Sequence, residues 1–268
     1  MRLERFLWAK ASEVAALRRQ EREGGLPAPF TGPRDNFLAA LRRPSGQAPL
    51  AVIAEYKRAS PSRGVICRDL TAAEVARQYA QAGAGALSVL TEERFFQGRL
   101  DYLAEARTAL RDAGCPVPLL RKDFLFDPLQ ITATAATPAA ALLLIVGLTP
   151  DMALLRQLRE QAEAHGIQAV VEVFDADELS LARASGARII QVNARDLATL
   201  RVDRTACLDI ARRFPPQDGE CWIAASGMDA PEHLRAAAEA GYDAALVGTA
   251  LMKDGQPGTA LRCLLAGR

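Results

Sequence analysis

Two lysines stand where apolar stretches of the sequence end, and their position is the strongest indication of chemistry in the chain. Lys57 ends the run Ala51-Val-Ile-Ala-Glu-Tyr-Lys57, and Lys122 ends the run Pro118-Leu-Leu-Arg-Lys122. Each run has the composition of a buried parallel strand, and Glu55 lies within the first. A single lysine after a strand is usually a solvated loop residue, but a core does not tolerate two lysines and a carboxylate unless they are solvated or functional. The sequence therefore predicts a charged cluster at the ends of neighbouring strands.

An apolar run followed by a helical pattern recurs along the whole chain. The predicted strands are Ala51–Tyr56, Ala86–Leu90, Val117–Leu120, Ala141–Val146, Gln168–Val173, Ile189–Val192, Cys221–Ala224 and Ala244–Val247. Strands that alternate with helices predict a parallel sheet, and strands that are apolar throughout predict burial on both faces. This α/β pattern predicts a single (β/α)₈ TIM barrel over residues 49–268. A doubly wound sheet is disfavoured, because the turn after the first strand lacks a Gly-x-Gly-x-x-Gly sequence.

The first 48 residues lie outside this pattern and predict an N-terminal helical extension to the same domain. Residues 2–23 carry apolar side chains on one helical face, residues 24–33 are rich in glycine and proline, and residues 35–42 predict a short helix. Such an extension can cover the bottom of a barrel or lie across its top beside the substrate, and the sequence favours neither. The helix after the third strand is expected to be short, with an uncharged outer face that is either a subunit contact or the result of drift.

Composition and charge exclude several classes of protein. Half of the 268 residues are hydrophobic, which is enough for a sizeable core, and the formal net charge of +1 gives no reason to expect a nucleic acid or an anionic membrane as partner. No apolar run has the length of a membrane span, and no signal peptide is expected. The five cysteines are scattered, so reduced thiols in a cytoplasmic protein are expected. With two histidines only, a histidine-based metal site is not expected, and no metal site is expected among the candidate carboxylates because lysines alternate with them.

Polar residues occur at most of the predicted strand ends, which face one pole of a barrel. The last two ends, Ser226-Gly227 and Gly248-Thr249, could bind an anion, because glycine lets backbone N–H groups approach closely. Loops after strands seven and eight commonly form the phosphate site of this fold. Across the barrel, the two lysines together with Glu55 and Glu172 supply potential acids and bases. The lysines could also hold a substrate carboxylate, which suits a decarboxylation.

Three stretches of the sequence are long and specific enough to indicate a family. They are Ile53-Ala-Glu-Tyr-Lys-Arg-Ala-Ser-Pro-Ser-Arg-Gly64, Leu87-Ser-Val-Leu-Thr-Glu-Glu-Arg-Phe-Phe-Gln-Gly98 and Leu120-Arg-Lys-Asp-Phe124. With shorter matches at the later strand ends, the chain resembles the indole-3-glycerol phosphate synthase family over nearly its whole length. The resemblance implies a carboxy-lyase of tryptophan biosynthesis that needs no cofactor. Enzymes of this family convert 1-(2-carboxyphenylamino)-1-deoxyribulose 5-phosphate to indole-3-glycerol phosphate and release carbon dioxide and water.

The resemblance also implies a role for each residue at the predicted barrel mouth. Lys122 is similar to the general acid that assists loss of the ketone oxygen, Glu172 to the matching base, and Lys57 to the residue that holds the anthranilate carboxylate or assists dehydration. Electrostatic and orienting partners are implied at Glu55 and Asn193, with Arg195 and Ser226 nearby. The implied slot for the aromatic ring is lined by Phe96, Phe124, Leu143 and Ile145. The implied substrate and phosphate contacts are Ser60, Gly227, Gly248 and Thr249.

One departure from the family bears on the chemistry. The family usually has a glutamate just before the Ser-Gly at the end of strand seven, where this chain has Ala225. This residue leaves open a diverged paralogue that acts on a related anthranilate-derived substrate in specialised metabolism. A non-catalytic barrel that binds a phosphate ligand is disfavoured, because both lysines and both glutamates are present. We expect a sugar-phosphate substrate, no nucleic acid or membrane partner, and a monomer, with a weak homodimer or a pathway-enzyme contact left open.

Overall fold

Eight parallel strands close into a barrel in the computed structural model, which describes residues 4–42, 50–149, 151–195 and 201–267. The barrel strands are β1 Ala51–Tyr56, β2 Ala86–Leu90, β3 Leu119–Lys122, β4 Ala141–Ile145, β5 Gln168–Val173, β6 Ile189–Asn193, β7 Cys221–Ala225 and β8 Ala244–Val247. Each strand pairs with its neighbours in chain order, and β1 pairs with both β2 and β8, which closes the ring. The predicted (β/α)₈ barrel is confirmed.

The third strand differs most from its predicted bounds. It is predicted at Val117–Leu120, whereas the structure has Leu119–Lys122. Pro118 cannot donate to the ladder, which delays the start of the strand. The strand then continues through Arg121 because this side chain points out of the barrel and is buried in a polar niche. Its guanidinium donates to the Thr134 hydroxyl at 2.7 Å, so its charge does not end the strand.

Helices connect the strands and cover the outside of the barrel. Those that follow the strands are Ala72–Gln81, Tyr102–Asp112, Pro128–Ala135, Met152–Ala164, Ala176–Ala184, Arg204–Arg213, Pro231–Glu239 and Pro257–Ala266. Shorter elements lie in the loops at the carboxyl ends of the strands: the helices Glu93–Phe96 and Thr249–Met252, the 3₁₀ turn Val146–Leu148, and the antiparallel pair Ala59–Ser60 with Gly64–Val65. Among the described residues, no helix has both the length and the hydropathy of a membrane span.

The N-terminal extension reaches both ends of the barrel. Its first helix, Glu4–Arg22, begins at the carboxyl ends of the strands, where Phe6 stacks on Phe124 with ring centroids 4.0 Å apart. Its second helix, Phe37–Leu41, lies at the opposite end, where the backbone N–H of Leu38 donates to the Gln168 side chain at the start of β5. The extension therefore contributes to the top and also covers the bottom. Residues 1–3 and 43–48 of the predicted extension lie outside the described ranges.

Between these two helices the extension runs along the helix after β3. That helix has eight residues, as short as the sequence predicts. Arg18 pairs with Asp127 at its N-terminus, and the Phe30 backbone N–H donates to the Ala135 carbonyl at its end. The N-terminal extension thus packs on this uncharged helix. A subunit contact was one of the two explanations that the sequence left open for the uncharged face.

Candidate active site

The carboxyl ends of the strands open into two adjoining cavities, which together contain every residue predicted for the site. The first cavity is lined by Glu55, Lys57, Ser60, Phe96, Lys122, Phe124, Leu143, Ile145, Glu172, Asn193, Arg195, Ser226 and Thr249, among others. The second cavity contains Gly227 and Gly248. The two cavities share seven lining residues: Glu55, Lys57, Ser62, Arg195, Ser226, Leu246 and Thr249. The barrel therefore brings together residues that are far apart in the sequence.

Glu55 and Lys57 form a close ion pair at the end of β1. Alternate residues of a strand point to the same side, which places both in the barrel. The Lys57 Nζ donates to Glu55 Oε1 at 2.7 Å, and the Ser88 hydroxyl donates to Oε2 at 3.4 Å. Burial by itself would raise the pKa of Glu55, but the charges of Lys57 and Lys122 and these two hydrogen bonds lower it below its ordinary value. Glu55 is therefore a carboxylate at neutral pH.

Lys122 and Glu172 form a second pair across the cavity. The Lys122 Nζ lies 3.4 Å from Glu172 Oε2, and the two side chains are 16% and 2% exposed. The same oxygen accepts a hydrogen bond from the side-chain amide of Gln191, a fully buried residue that sequence reasoning missed. A carboxylate can only accept, so the amide nitrogen must face it. The sequence feature that could have identified Gln191 was a polar residue within the otherwise apolar part of β6.

Asn193 organises the turn at the end of β7. Its side-chain oxygen accepts from the Ser226 hydroxyl at 2.8 Å and from the Arg195 backbone N–H at 3.0 Å. Ser226 and the following Gly227 both have positive φ, 69° and 76°, and this conformation is unfavourable for serine. The hydrogen bond to Asn193 helps to hold it. A side chain at 227 would meet Val202 at 2.7 Å, so glycine is needed there.

Gly248 makes room for the first ion pair. A Cβ at this position would clash with Glu55 Oε1 and lie 3.0 Å from Lys57 Nζ. The sequence indicated that this glycine allows an anion to approach the backbone. The structure gives a second, steric reason for glycine at position 248, because any side chain here would displace the Glu55 carboxylate.

The aromatic wall of the first cavity depends on Glu92, which sequence reasoning also missed. Its buried carboxylate accepts hydrogen bonds from the backbone N–H groups of residues 94, 95 and 96 and so caps the helix Glu93–Phe96. Burial raises the pKa of Glu92 against these hydrogen bonds. The cap holds Phe96 with its ring centroid 6.2 Å from that of Phe124. A glutamate three residues before an aromatic pair was the available signal.

The N-terminal helix supplies two further wall residues, Arg5 and Phe6. The sequence showed Phe6 only as part of an apolar helical face, so nothing separated it from ordinary core residues. The helix is anchored by a buried ion cluster behind β3, in which Asp123 pairs at 3.0 Å with both Lys10 and Arg121. Burial would raise the pKa of Asp123, but the charges of Arg121 and Lys10 lower it. This cluster fixes the helix against the strand that carries Lys122.

The arrangement is suited to acid–base chemistry on an aromatic anion. An ammonium group and a carboxylate face each other in the first cavity, an apolar slot lies beside them, and glycine-containing turns border the second cavity. Among the residues that the structure describes, no group of three or more histidine, cysteine or acidic side chains could hold a metal ion.

Comparisons with known proteins agree with this geometry. A family model described as indole-3-glycerol phosphate synthase matches residues 3–264. The indole-3-glycerol phosphate synthase of Chloroherpeton thalassium is 42% identical over 257 residues, which is 93% of this chain and 94% of the relative. That of Aromatoleum aromaticum is 39% identical over 272 residues, with 98% of each chain covered. Indole-3-glycerol phosphate synthase 2 of Streptomyces coelicolor is 44% identical over 234 residues, covering 87% of this chain and 86% of the relative.

Solved structures with a similar fold have much lower identity. The crystal structure of 3-hexulose-6-phosphate synthase superposes with a TM-score of 0.62 at 17% identity, covering 81% of this chain and 99% of that one. N-acetylmannosamine-6-phosphate 2-epimerase from Clostridium perfringens has a TM-score of 0.60 at 12% identity, covering 85% and 96%. At such identities the likeness concerns the fold alone.

Proposed function

The chain belongs to the indole-3-glycerol phosphate synthase family, and we propose that it is a carboxy-lyase that closes the indole ring. Its substrate is 1-(2-carboxyphenylamino)-1-deoxyribulose 5-phosphate and its product indole-3-glycerol phosphate. The observation that carries the proposal is the Lys122–Glu172 pair beside an apolar slot of Phe96, Phe124 and Leu143. This combination places an acid and a base next to a surface that fits an aromatic ring.

We place the phosphate of the substrate in the second cavity and its aromatic ring in the first. The turns at Ser226-Gly227 and Gly248-Thr249 line the second cavity and follow strands β7 and β8, where this fold commonly binds phosphate. The ring then lies against Phe96, Phe124, Leu143 and Ile145, and Ser60 borders the sugar between them. The ketone of the sugar is thereby directed toward the lysines.

Lys122 acts as the general acid of ring closure. The ring carbon that bears the carboxylate attacks the ketone carbon, and the ketone oxygen takes a proton from the ammonium group. The electrons of the carbon–carboxylate bond return to the ring as carbon dioxide leaves. A second proton then converts the new hydroxyl into a leaving water, and Glu172 removes the proton whose loss completes the indole double bond.

Ion pairs and hydrogen bonds position the remaining groups for these reaction steps. Lys57 is held by Glu55 beside the sugar, which suits it to assist dehydration. Asn193, fixed by Ser226 and by the Arg195 backbone, orients the hydroxyl-bearing part of the substrate. The reaction uses the side chains of the barrel and needs no cofactor.

We also infer that the protein is a cytoplasmic monomer. The extension packs on the uncharged helix after β3, and the exposed large apolar side chains of the described residues, Trp8, Val65 and Val202, are few. Their small number favours a chain without a large apolar contact surface.

A second candidate function follows from Ala225. This residue is buried in the wall of the first cavity, where the family usually has a glutamate. A paralogue that closes a ring on another anthranilate-derived substrate would have the same lysines and a differently charged wall.

Incubation of the chain with the carboxyphenylamino-deoxyribulose phosphate tests the proposal. We expect indole fluorescence to appear together with an equimolar amount of carbon dioxide. Ring-substituted anthranilate derivatives of the same sugar phosphate serve as comparison. If the unsubstituted compound were left unchanged while a substituted one reacted, the second candidate would replace the first.

A further inference from the structure

Arg5 places a cation at the aromatic end of the first cavity, in the first turn of the N-terminal helix. Its guanidinium carbon lies 4.6 Å from the ring centroid of Phe6 and 5.9 Å from that of Phe95. The Nε and Nη2 atoms are buried and have no hydrogen-bond partner among the residues that the structure describes. Buried donors without acceptors cost free energy, so these two donors favour an acceptor that enters the cavity.

The other groups of the site do not account for these donors. Each of the four carboxylates that line the first cavity already has other partners. Glu55 pairs with Lys57 and Glu172 with Lys122. Asp123 pairs with Lys10 and Arg121, and Glu92 accepts from the backbone N–H groups of residues 94–96. The phosphate-binding turns do not account for them either. Arg5 lines the first cavity only, whereas Gly227 and Gly248 line the second. An acceptor for Arg5 must therefore lie at the ring end of a ligand, away from its phosphate.

We propose that Arg5 binds the ring carboxylate of the substrate. The inference rests on the proposed function, whose substrate carries one anion on the sugar and another on the aromatic ring. A guanidinium matches a carboxylate through two parallel N–H donors, and its planar face can remain stacked on Phe6. Arg5 thereby selects amines with a carboxylate beside the nitrogen, and Lys57 is left free for dehydration.

Binding of the ring carboxylate by Arg5 also gives the N-terminal extension a role in product release. Phe6 stacks on Phe124, which lines the slot for the ring, so Arg5 is held beside the ring position. The Lys10–Asp123 pair one helical turn further on keeps the helix in place. When the carboxylate leaves as carbon dioxide, the product loses its contact with Arg5. Binding at this end then weakens, which favours release of the product over release of the substrate.

The test compares two unreactive ligands on three proteins by calorimetry. One ligand is the substrate with its ketone reduced to an alcohol, and the other is the same compound without the ring carboxylate. The proteins are the parent, Arg5→Met, and Arg94→Met as a matched control. Arg94 is an exposed arginine at the same end of the barrel that stacks on Trp8 at 3.9 Å and does not line the first cavity.

We expect Arg5→Met to weaken the carboxylated ligand by about 10- to 100-fold, the range of a charge-assisted hydrogen bond. The ligand without the carboxylate should bind to parent and variant within about twofold of each other, because the lost contact is absent from both complexes. Arg94→Met should change both affinities by less than about threefold, as expected for an exposed charge.

Equal weakening of both ligands by Arg5→Met would mean that Arg5 only supports the helix, and no weakening of either would mean that it does not bind the carboxylate. Both results overturn the inference while the proposed function stands. If the parent bound neither ligand, the proposed function would fail, and the inference with it. Should Arg5→Met not fold, Arg5→Lys is the alternative, since it keeps the charge without the two parallel N–H donors. We then expect a smaller loss of affinity that is still confined to the carboxylated ligand.

Discussion

At the scale of single residues, each lysine of the barrel mouth has a carboxylate of its own. Glu55 is kept ionised by Lys57 and Lys122, and its carboxylate lies where only a glycine, Gly248, leaves room. Glu172 accepts from Lys122 and from the buried amide of Gln191. Each of the two lysines thus has a carboxylate partner without the further carboxylate that the family usually has at position 225. The proposed acid and base, Lys122 and Glu172, are both present despite that difference.

The first prediction concerns Lys122, the proposed general acid. Lys122→Met should reduce kcat by about 10²–10⁴-fold, the usual cost of losing a positioned acid or base, and leave affinity for the reduced substrate within a few-fold. Lys122→Arg is the matched variant, since it keeps the charge but does not give up its proton near neutrality. It should be as inactive as the methionine variant. Steady-state kinetics and calorimetry measure both, and near-parental turnover in either variant would remove Lys122 from the mechanism as an acid.

The second prediction concerns Ala225. Its side chain faces the cavity, and its strand neighbours are Asn193 and Leu246. A carboxylate there favours the charged form of nearby ammonium groups. We expect measurable activity in the parent, and in Ala225→Glu a shift of the alkaline limb of the pH–rate profile to higher pH, with a smaller change in kcat than in Lys122→Met. A parent chain that is inert and gains activity only through Ala225→Glu would establish the diverged or non-catalytic alternative.

At the scale of elements, the site depends on how the N-terminal helix is attached to the loop after β3. Phe6, Lys10 and Arg18 contact that loop and the helix after it, through a ring stack, a buried ion pair and a half-exposed ion pair respectively. These contacts differ in burial and therefore in energy. Removal of one partner from the buried pair, whose side chains are 5% and 0% exposed, should therefore destabilise the protein more than removal of one partner from the exposed pair.

Lys10→Met should lower the free energy of unfolding by about 1.5–3 kcal/mol, because a buried carboxylate loses a charged donor. Asp123 retains Arg121, so the charge does not become isolated. Arg18→Met is the matched control on the same helix. Its side chain is 61% exposed, and its loss should cost less than about 1 kcal/mol. Urea unfolding monitored by circular dichroism gives both values, and equal costs would contradict the ranking by burial.

The first turn of the helix Ala176–Ala184, which follows β5, contains a carboxyl group that opposes stability at high pH. Burial raises the pKa of Glu178 to about 7, with smaller contributions from Asp175 and Glu172, while its hydrogen bond from the Phe174 backbone acts against them. The unfolded chain releases this proton at lower pH than the folded chain. Stability is therefore lost as pH rises from the ordinary value of 4.5 to about 7.

Glu178→Gln keeps an acceptor for the Phe174 N–H and removes the ionisation. Compared with the parent, we expect a higher Tm at pH 8 and little difference at pH 5. Glu232→Gln, an exposed glutamate in the first turn of the helix Pro231–Glu239, should follow the parent at both pH values. Thermal unfolding at pH 5 and pH 8 measures these Tm values. If Glu178→Gln has the same Tm as the parent at both pH values, the proposed effect of burial on Glu178 is wrong.

At the scale of the whole molecule, the extension and the barrel share one hydrophobic core. Phe6 at the mouth and Phe37 at the opposite end both belong to the apolar cluster that fills the barrel interior, with inward residues such as Leu143 and Ile223 between them. Removing the extension would expose both ends of this cluster. We therefore propose that residues 1–268 form a single domain.

A single domain should unfold in a single step. Trp222, fully buried in β7, reports on the barrel once Trp8→Phe removes the exposed tryptophan of the N-terminal helix. Its fluorescence and the far-ultraviolet circular dichroism should lose their native signals at the same urea concentration. A separate loss of helical signal at lower urea would show that the extension unfolds on its own.

The sequence by itself determined the barrel and the residues at its mouth, because both follow from local patterns. Apolar runs such as Ala51–Tyr56 indicate buried strands, and eight alternating units leave few other folds. Parallel strands bring all their carboxyl ends to one pole. Residues as distant as Lys57 and Thr249 could therefore be assigned to one site without knowledge of any contact.

Only the tertiary structure decided which groups touch. The pairing of Gln191 with Glu172, the steric reason for Gly248, and the cap that Glu92 places on its aromatic helix depend on side-chain directions that residue type does not encode. The N-terminal helix is the strongest case, because a helical apolar face is the same whether it covers the bottom of a barrel or its active site. Its place was set by contacts across more than one hundred residues, such as Lys10 with Asp123, and these put Arg5 and Phe6 into the cavity wall.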